Sequence, residues 1–441
     1  MTERFDLPAG RLETRFSDKA PALSESEARR EAARCLYCFD APCIRSCPTS
    51  IDIPTFIRKI ATGNLRGSAR TILSANLLGA SCARVCPVEV LCEGSCVYHD
   101  DGQPPIAIGR LQRHAMDHGG GPELLPRLNA ARPGSIGLVG GGPASLACAG
   151  QLALLGHRPV IYEKRALPGG LNTTGVAPYK LPAEDALEEV ESILALGVDL
   201  ETGVEIGRDL TAEEVLARHD AVFLGPGLGP DSRLRVPGEE GPGVLGAVEW
   251  IERIKNDASY SLEGITQAVV VGGGNTAIDA ARELRGLGVE TVYLLYRRSA
   301  AEMGAYRHES DEALRGGVVL VEDVVVTEVL REGDALSGVR LAEAQGGRAT
   351  DVEHGVLPTD LVLLAIGQSK LVELARSFPG VEVDDRGRIV ADPATGRTGN
   401  PRVFTGGDAL NGGKEVVNAA HDGQAAARAI DELIRDGGPR G

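Results

Sequence analysis

Eight of the nine cysteines in this 441-residue chain lie between Cys35 and Cys96, and this concentration limits the possible folds more than any other feature. The stretch CLYCFDAPCIRSCPTS (35–50) holds four of them, and a second run (82–96) holds the other four. Closely spaced thiolates of this kind bind iron–sulfur clusters, and in two-cluster proteins the last cysteine of a run commonly binds the other cluster. The pattern therefore favours iron–sulfur clusters.

Structural zinc is the main alternative, because a zinc ion also takes four cysteines. Zinc sites usually pair two short Cys-x2-4-Cys units, whereas only Cys35 and Cys38 are separated by two residues here. A dithiol reductase would need one isolated pair, and residues 241–371 contain no cysteine. The ninth cysteine, Cys148, lies in an apolar helical pattern and is expected to pack in a core.

Composition and charge narrow the functional classes. With 43% hydrophobic and 24% charged residues the chain is globular, and its length suits two or three domains. The net charge of −16 argues against nucleic acid and anionic membranes as partners. The start, MTERFDLPAG, has no apolar core like that of a signal peptide, and no run of about 18 apolar residues follows. We therefore expect a cytoplasmic protein, in which stable disulfides are rare.

The apolar pattern divides the chain into a helical start and an α/β remainder. Residues 1 to about 118 have helical spacing and no convincing strand, and the Gly/Pro-rich segment 118–134 predicts a domain boundary. From residue 135, short β-branched runs alternate with helical segments, which is typical of parallel sheets. A strand–glycine–helix start occurs twice, as SIGLVGGGPASLACAG at 135 and AVVVGGGNTAIDAARE at 268.

The first of these starts predicts a dinucleotide site. Gly140 and Gly142 allow a tight turn and a close approach of pyrophosphate to the following helix, and the next strand ends at Glu163, placed to accept from a ribose hydroxyl. Ser145 replaces the usual third small residue and is still small enough for close packing. Near the end, the strand of RVFTGGDALNGG precedes Asp408, at a position where flavoproteins hold the ribityl chain; an ordinary turn aspartate is the alternative.

The second start predicts a nicotinamide nucleotide site. Gly272 and Gly274 precede a helix, and the next strand ends at Arg297 and Arg298 instead of the acid expected for NAD. Guanidinium groups at that point suit a 2′-phosphate and favour NADP(H); the alternative is a solvated arginine pair. The strand LVLLAIG (361–367) is expected to return the chain to the first nucleotide domain.

Together these residues resemble a known family across essentially the whole chain. The two cysteine runs, the glycine motifs, IAIGRLQ and GGKEVVNAAHDG look like the electron-input subunit of bacterial dihydropyrimidine dehydrogenase, and the small subunit of glutamate synthase is similar. The resemblance implies an α-helical iron–sulfur domain (1–130) followed by two Rossmann-like α/β domains. The FAD domain would comprise 131–240 and 372–441, with the NAD(P)H domain (241–371) inserted in it.

The resemblance also implies cofactor ligands. One 4Fe-4S cluster would be held by Cys35, Cys38, Cys43 and Cys96, and the other by Cys47, Cys86, Cys92 and Gln112. Counting thiols alone would instead make Cys82 the eighth ligand. FAD would contact Gly140, Gly142, Pro143, Ala144, Ser145, Glu163, Gly170, Leu171, Lys180, Ile206, Gly407, Asp408, Glu415 and Val416. The nicotinamide nucleotide would contact Gly273, Gly274, Asn275, Thr276, Arg297, Arg298, Ala365, Ile366 and Gly367.

The implied function is electron transfer, in which NAD(P)H is oxidised at FAD and single electrons pass through the two clusters. No pyrimidine site is evident, so uracil or thymine would be reduced by a partner subunit with FMN and iron–sulfur centres. Three alternatives stay open at this point: the small subunit of NADPH-dependent glutamate synthase, a general NAD(P)H:ferredoxin or acceptor reductase, and a non-enzymatic zinc-bound nucleotide sensor. Glutamate synthase small subunits lack a glutamine at the position of Gln112, which counts against the glutamate synthase alternative.

Overall fold

The structure, a computed structural model, describes residues 5–128 and 133–437. The predicted domain boundary at 130/131 lies outside these residues. No helix within the described ranges is long and apolar enough to cross a membrane.

The described residues up to 128 form a helical unit. Its helices are α1 (Glu25–Arg34), α2 (Pro42–Arg45), α3 (Ile53–Ala61), α4 (Leu65–Ala75), α5 (Gly79–Val85) and α6 (Ile108–Gly119). The structure assigns no strand to residues 5–128, as the sequence predicts. Ser24 starts α1 through a capping box with Glu27, and Asn64 caps α4. Phe56, Ile57 and other apolar side chains from α1, α3, α4 and α6 close one core.

The remainder alternates strands and helices. The first part contains β1 (Ser135–Val139), α7 (Pro143–Leu154), β2 (Arg158–Glu163), α8 (Leu171–Thr174), α9 (Ala183–Leu194), β3 (Asp199–Thr202), α10 (Ala212–Arg218) and β4 (Ala221–Leu224). The next part contains β5 (Val244–Gly246), α11 (Ala247–Asn256), β6 (Gln267–Val271), α12 (Asn275–Gly286), β7 (Thr291–Leu295), α13 (Arg307–Arg315), β8 (Val318–Val321), β9 (Val324–Glu332), β10 (Ala335–Gln345), β11 (Arg348–Pro358) and β12 (Leu361–Leu364). The chain ends with α14 (Val372–Ser377), β13 (Val403–Thr405), α15 (Asp408–Asn411) and α16 (Val416–Arg435).

These strands form two parallel five-stranded sheets. The first sheet has the order β13-β4-β1-β2-β3, and the second has the order β5-β12-β6-β7-β8. The first four residues of the predicted strand LVLLAIG form β12, which pairs with β5 on one side and β6 on the other. Along the chain, β12 is the last strand of the second sheet. Each glycine motif follows the central strand of its sheet, β1 or β6, at the carboxyl edge where ligands of such folds bind.

A third, antiparallel sheet of β9, β10 and β11 was not anticipated from the sequence. Two-residue loops connect its strands, and both residues of the second loop, Gly346 and Gly347, have positive φ (59° and 79°). Such loops match the twist of a hairpin. The Gly-Gly pair is typical of a hairpin turn, but the β-branched segments on either side of it are equally compatible with parallel strands.

The last helix of the α/β part packs tightly against the first. Helix α16 lies against α7 so closely that a Cβ on Gly423 would come 2.1 Å from the carbonyl oxygen of Ala144. The helical unit also shares a core with the first sheet, because Leu77, Leu78 and Cys82 pack with Ile136 and Leu138 among others. The cysteine-rich segment is therefore anchored directly on the first nucleotide-binding unit.

Candidate redox site

The side chains of the first thiol set (Cys35, Cys38, Cys43 and Cys96) line one cavity that is open to solvent. Its other walls are mainly apolar and include Ile53, Ile57 and Ile106. Within residues 5–128 and 133–437, no three Cys, His, Asp or Glu side chains converge as ligands of a single ion. Thiols around a cavity suit a multi-atom iron–sulfur cluster, whose ligands bind different iron atoms.

Electrostatics at these thiols favours a cationic occupant. Burial, together with the neighbouring thiols Cys35 and Cys96, raises the pKa of Cys43 to about 11. Burial likewise raises the pKa of Cys35. Several thiolates cannot be held side by side in an apolar pocket without compensating positive charge. Metal binding supplies that charge and releases the thiol protons.

The second thiol set (Cys47, Cys86 and Cys92) lies nearer to the first sheet. Cys47 and Cys86 pack against the core that contains α7 and β1, and Cys47 also contacts the core of the helical unit. The pKa of Cys86 is raised by a hydrogen bond with Cys82, by burial, and by the charges of Cys82, Cys92 and Cys47. The described structure thus brings together four thiols here, Cys82 included.

Two groups compete for the eighth ligand position. Cys82 is buried, and its sulfur accepts a hydrogen bond from Asn76 Nδ2 at 3.2 Å. Gln112 is also buried on α6, and its Nε2 donates to the Gly79 carbonyl at the start of α5 at 2.8 Å. Because that bond uses the amide nitrogen, Oε1 would be the ligand atom if Gln112 binds a cluster. The choice between Cys82 and Gln112 stays a prediction.

The first glycine loop is a tight turn that leads directly into α7, as the predicted phosphate-binding turn requires. Gly140 has φ +91°, and a Cβ there would lie 2.6 Å from the Gly225 carbonyl oxygen. Helix α7 begins without a side-chain cap, which leaves N–H groups of its first turn available. Within the described residues, the buried Ser145 Oγ has no hydrogen-bond partner. Gly170 closes over the loop, with its Cβ position 2.8 Å from Gly142 Cα.

Glu163 ends β2 beside this loop and is buried. Its carboxylate accepts from the Gly141 N–H at 2.6 Å and from the Arg165 N–H at 2.8 Å. The carboxylate is therefore fixed at the turn, where a ribose hydroxyl would meet it. Leu171 begins α8 next to Gly170, whereas Ile206 is buried in a core with Tyr162.

The segment around Asp408 closes the same site from the carboxyl-terminal side. Gly407 has φ +67°, and its Cβ position is 3.0 Å from the Ala144 side chain on α7. Asp408 Oδ1 accepts from the Lys414 N–H at 3.2 Å, and burial raises the pKa of Asp408. Asp422, which sequence reasoning did not single out, accepts from the Gly407 N–H at 3.1 Å. The glycine loop, Glu163 and Asp408 thus share one edge of the first sheet.

The second glycine loop has the same construction in the second sheet. A Cβ on Gly272 would lie 2.3 Å from the Ala365 carbonyl oxygen, and α12 also begins without a side-chain cap. No heavy atom lies within 4 Å of the Cβ position of Gly274, so the loop is open toward a ligand. Thr276 lies in the first turn of α12, and the segment Ala365–Gly367 follows β12 at the same edge.

Arg297 and Arg298 follow β7 at this edge. Arg297 is exposed and Arg298 is half-buried. Neither guanidinium forms an ion pair with a carboxylate among the described residues, and both lie near Gly347 of the hairpin turn. Two unpaired cations at the end of this strand can receive an anionic group on a nucleotide ribose.

Lys180 lies where the two nucleotide-binding units meet. Its Nζ is 2.8 Å from Asp279 on α12 and 2.8 Å from Glu309 on α13. Burial opposes the charge of Lys180, but these two carboxylates outweigh it and raise the pKa of Lys180. Tyr179 OH also donates to Asp279 at 2.5 Å. This ion network, which sequence reasoning missed, binds the lysine to the second unit; its predicted contact with FAD stays a prediction.

Tyr306 connects three of the predicted sites. Its N–H donates to Asn275 Oδ1 in the second glycine loop at 2.9 Å, and its hydroxyl donates to Glu415 Oε1, just before α16, at 2.7 Å. Burial raises the pKa of Tyr306, and the hydrogen bond and charge of Glu415 raise it as well. The charge of Cys86 has a smaller effect in the same direction. No sequence motif marks Tyr306, because its partners lie far away along the chain. The nucleotide loop and the first unit therefore meet at Tyr306, and Cys86 of the second thiol set is close enough for its charge to act on Tyr306.

Comparison with known families agrees with this construction. Residues 12–121 match the family described as dihydropyrimidine dehydrogenase domain II, 4Fe-4S cluster. Residues 135–423 match the pyridine nucleotide-disulphide oxidoreductase family. These matches confirm the predicted iron–sulfur domain and the predicted nucleotide-dependent oxidoreductase fold.

Individual relatives span nearly the whole chain. The NAD-dependent dihydropyrimidine dehydrogenase subunit PreT of Escherichia coli K12 is 34% identical over 426 residues, covering 95% of this chain and 97% of that protein. The NADPH glutamate synthase small chain of the same organism is 30% identical and covers 97% and 96%. The NADP+-dependent formate dehydrogenase subunit beta of Moorella thermoacetica is 33% identical over 90% of this chain, which spans only 60% of that protein.

Solved structures share the fold. Mycobacterium tuberculosis FprA in complex with NADPH gives a TM-score of 0.55 at 22% identity, covering 69% of this chain and 85% of that one. Thioredoxin reductase of T. acidophilum gives 0.56 at 20% identity, covering 69% and 99%. With its 4Fe-4S domain, its two nucleotide loops and these relatives, the chain belongs to the pyridine nucleotide-disulphide oxidoreductases that carry a dihydropyrimidine dehydrogenase-type iron–sulfur domain, and it is an NAD(P)H-dependent flavin and iron–sulfur oxidoreductase.

Proposed function

We propose that the chain is the electron-input subunit of a dihydropyrimidine dehydrogenase. It would oxidise NAD(P)H at FAD and pass single electrons through two 4Fe-4S clusters to a partner subunit that reduces uracil or thymine. The proposed electron path is supported by the spatial order of the thiol sets and the two glycine loops. The second thiol set packs on the core of the first sheet, and Cys86 lies near Tyr306, which bonds to the second glycine loop.

The residues present fit the proposed groups. The open α7 N-terminus, the orphaned Ser145 Oγ, Glu163 and Asp408 would hold FAD. The uncapped α12 and the two arginines after β7 would hold the nicotinamide nucleotide. The first thiol set would hold one 4Fe-4S cluster, called the outer cluster because it lies farther from the first sheet. The second set, with Gln112, would hold the inner cluster. When bound, the flavin accepts electrons in pairs and gives them up singly, which is the conversion this arrangement requires.

The strand order supports the proposed domain organisation. The first sheet consists of β1–β4 and takes β13 from the end of the chain, whereas every strand of the second sheet comes from 244–364. An FAD domain of 131–240 and 372–441 with an inserted NAD(P)H domain of 241–371 accommodates this order. Residues 225–232 and 367–369 run side by side as the two connections, joined by bonds such as Ser232 N–H to the Gly367 carbonyl.

The chain's own residues would position the groups and exclude water. Glu163 fixes the turn of the first loop, and Tyr306 links the nucleotide loop to Glu415. Lys180, held by Asp279 and Glu309, fixes the two nucleotide-binding units against each other. No side chain needs to act as a general acid or base, since the cofactors carry the chemistry.

Anaerobic purification from the native host tests the proposal. We expect a yellow-brown protein with one FAD and eight irons, copurifying with an FMN- and iron–sulfur-containing subunit, and NAD(P)H oxidation that depends on uracil or thymine. Copurification with a glutamine-hydrolysing large subunit, and NADPH oxidation dependent on glutamine and 2-oxoglutarate, would instead assign the chain to a glutamate synthase. A protein without iron and without flavin would refute both assignments.

A further inference from the structure

An exposed apolar patch lies directly outside the first thiol set. Leu36, Tyr37 and Phe39 occupy the loop between the cysteines of that set; Phe39 is fully exposed and Leu36 is 59% exposed. Single exposed apolar side chains are common, but several large ones next to each other mark an interaction surface. We call these three residues the outer patch.

The outer patch is a thin wall between the cavity and solvent. Leu36 lines the cavity of the first thiol set and is exposed on its other side. Tyr37 has φ +52°, which is unfavourable for a bulky residue, and its hydroxyl donates to the Ala32 carbonyl at 3.2 Å. The loop is thus held in a strained but fixed form, with its apolar side chains facing outward.

The opposite side of the path is closed. The second thiol set contacts the core of the first sheet, and Glu189 on α9 fastens the start of α5 by accepting from the Ala80 N–H at 2.8 Å. The outer patch, by contrast, is a place where the wall of the first thiol set reaches solvent, because Leu36 both lines the cavity and is exposed.

An exposed cation lies at the edge of the outer patch, although the full chain has a net charge of −16. Arg58 is exposed, forms no ion pair within the described residues, and its charge lowers the pKa of Tyr37 against the raising effect of burial. Arg45, by contrast, forms an ion pair with the exposed Asp40. The unpaired Arg58 on an acidic protein is complementary to an acidic partner.

We propose that the outer patch, with Arg58 at its rim, is the docking surface for an acidic iron–sulfur protein. This inference rests on the proposed function and extends it to the class of acceptor. Each transfer oxidises the outer cluster by one electron and reduces the partner's iron–sulfur centre by one electron, with no proton exchanged. The electrons come from NAD(P)H, two for each molecule oxidised.

An acidic ferredoxin with two 4Fe-4S clusters is the probe. The full-length, cofactor-loaded chain should reduce it with NADPH at a rate that falls as NaCl rises from 50 to 500 mM, because rim charges steer the encounter. Phe39→Ser, which leaves the cavity wall unchanged, should lower kcat/KM for ferredoxin about tenfold, as loss of an apolar anchor does. Arg58→Glu should lower it about fivefold at low salt and flatten the salt dependence.

Two controls separate docking from folding and from the proposed function. Val356→Ser removes another exposed apolar residue, on the antiparallel sheet, and should leave ferredoxin reduction unchanged. Ferricyanide reduction, which takes electrons without specific docking, and iron content should be the same in every variant. Wild-type rates and salt dependence in both outer-patch variants, or no ferredoxin reduction by a wild-type chain with full clusters and normal ferricyanide activity, would overturn the docking proposal alone. Absence of iron or of NADPH–ferricyanide activity in the wild type would refute the proposed function as well.

Discussion

Replacing both arginines at the end of β7 with alanine should separate the two nicotinamide nucleotides. In the structure neither Arg297 nor Arg298 pairs with a carboxylate among the described residues, so their removal leaves no buried charge uncompensated. Arg298 is half-buried, and a charge-assisted hydrogen bond from it to a 2′-phosphate contributes about 2 kcal/mol. The exposed Arg297 adds about 1 kcal/mol. The sum of about 3 kcal/mol corresponds to roughly a hundredfold change in kcat/KM.

The assay is steady-state reduction of ferricyanide with NADPH and, separately, with NADH. For Arg297→Ala/Arg298→Ala we expect kcat/KM for NADPH to fall by about two orders of magnitude, and for NADH by less than threefold, since NADH has no 2′-phosphate. Arg386→Ala, which removes an exposed arginine elsewhere, serves as the matched control and should change neither. The names of the relatives include both NAD and NADP, and the double variant shows which of the two nucleotides the arginines select. Equal losses with both nucleotides would refute the 2′-phosphate role.

Three further perturbations address the clusters, the ion network and the interface between the helical unit and α9. Gln112→Ala should alter the electron paramagnetic resonance spectrum of one reduced cluster while Cys82→Ala retains eight irons; loss of a cluster in Cys82→Ala would make Cys82 the ligand. Lys180→Met leaves Asp279 buried without its cation, while Glu309 keeps Lys19 at 3.1 Å, and should cost about 3 kcal/mol of unfolding free energy, measured as a denaturant midpoint, whereas Lys180→Arg should cost less; equal stability of Lys180→Met and wild type would contradict the network. Burial raises the pKa of Glu189 to about 7 from 4.5, so between these values only the folded state holds the proton, and stability falls as pH rises. The melting temperature of wild type should therefore fall relative to Glu189→Gln from pH 6 to 7 and then level off; parallel curves would exclude this titration.

Sequence patterns were sufficient where the chemistry is local. The cysteine spacings, the two glycine turns and the acid or arginine at the end of the following strand each lie within a few dozen residues. They predicted the iron–sulfur domain, the nucleotide-binding folds and the reaction class, all of which the family matches confirm. The antiparallel sheet of β9–β11 escaped prediction, because β-branched runs do not reveal whether their neighbours run parallel or antiparallel.

Long-range contacts decided the rest. The bonds from Tyr306 to Glu415 and from Lys180 to Asp279 join residues about a hundred positions apart, and nothing in the local sequence selects these partners. The same holds for the order of the two thiol sets, which depends on how the helical unit packs on the first sheet. The sequence by itself determined which groups the chain can bind, since ligand type and turn geometry are properties of short segments. The tertiary structure alone decided how those groups are arranged for electron transfer, since that arrangement depends on which distant surfaces are buried together.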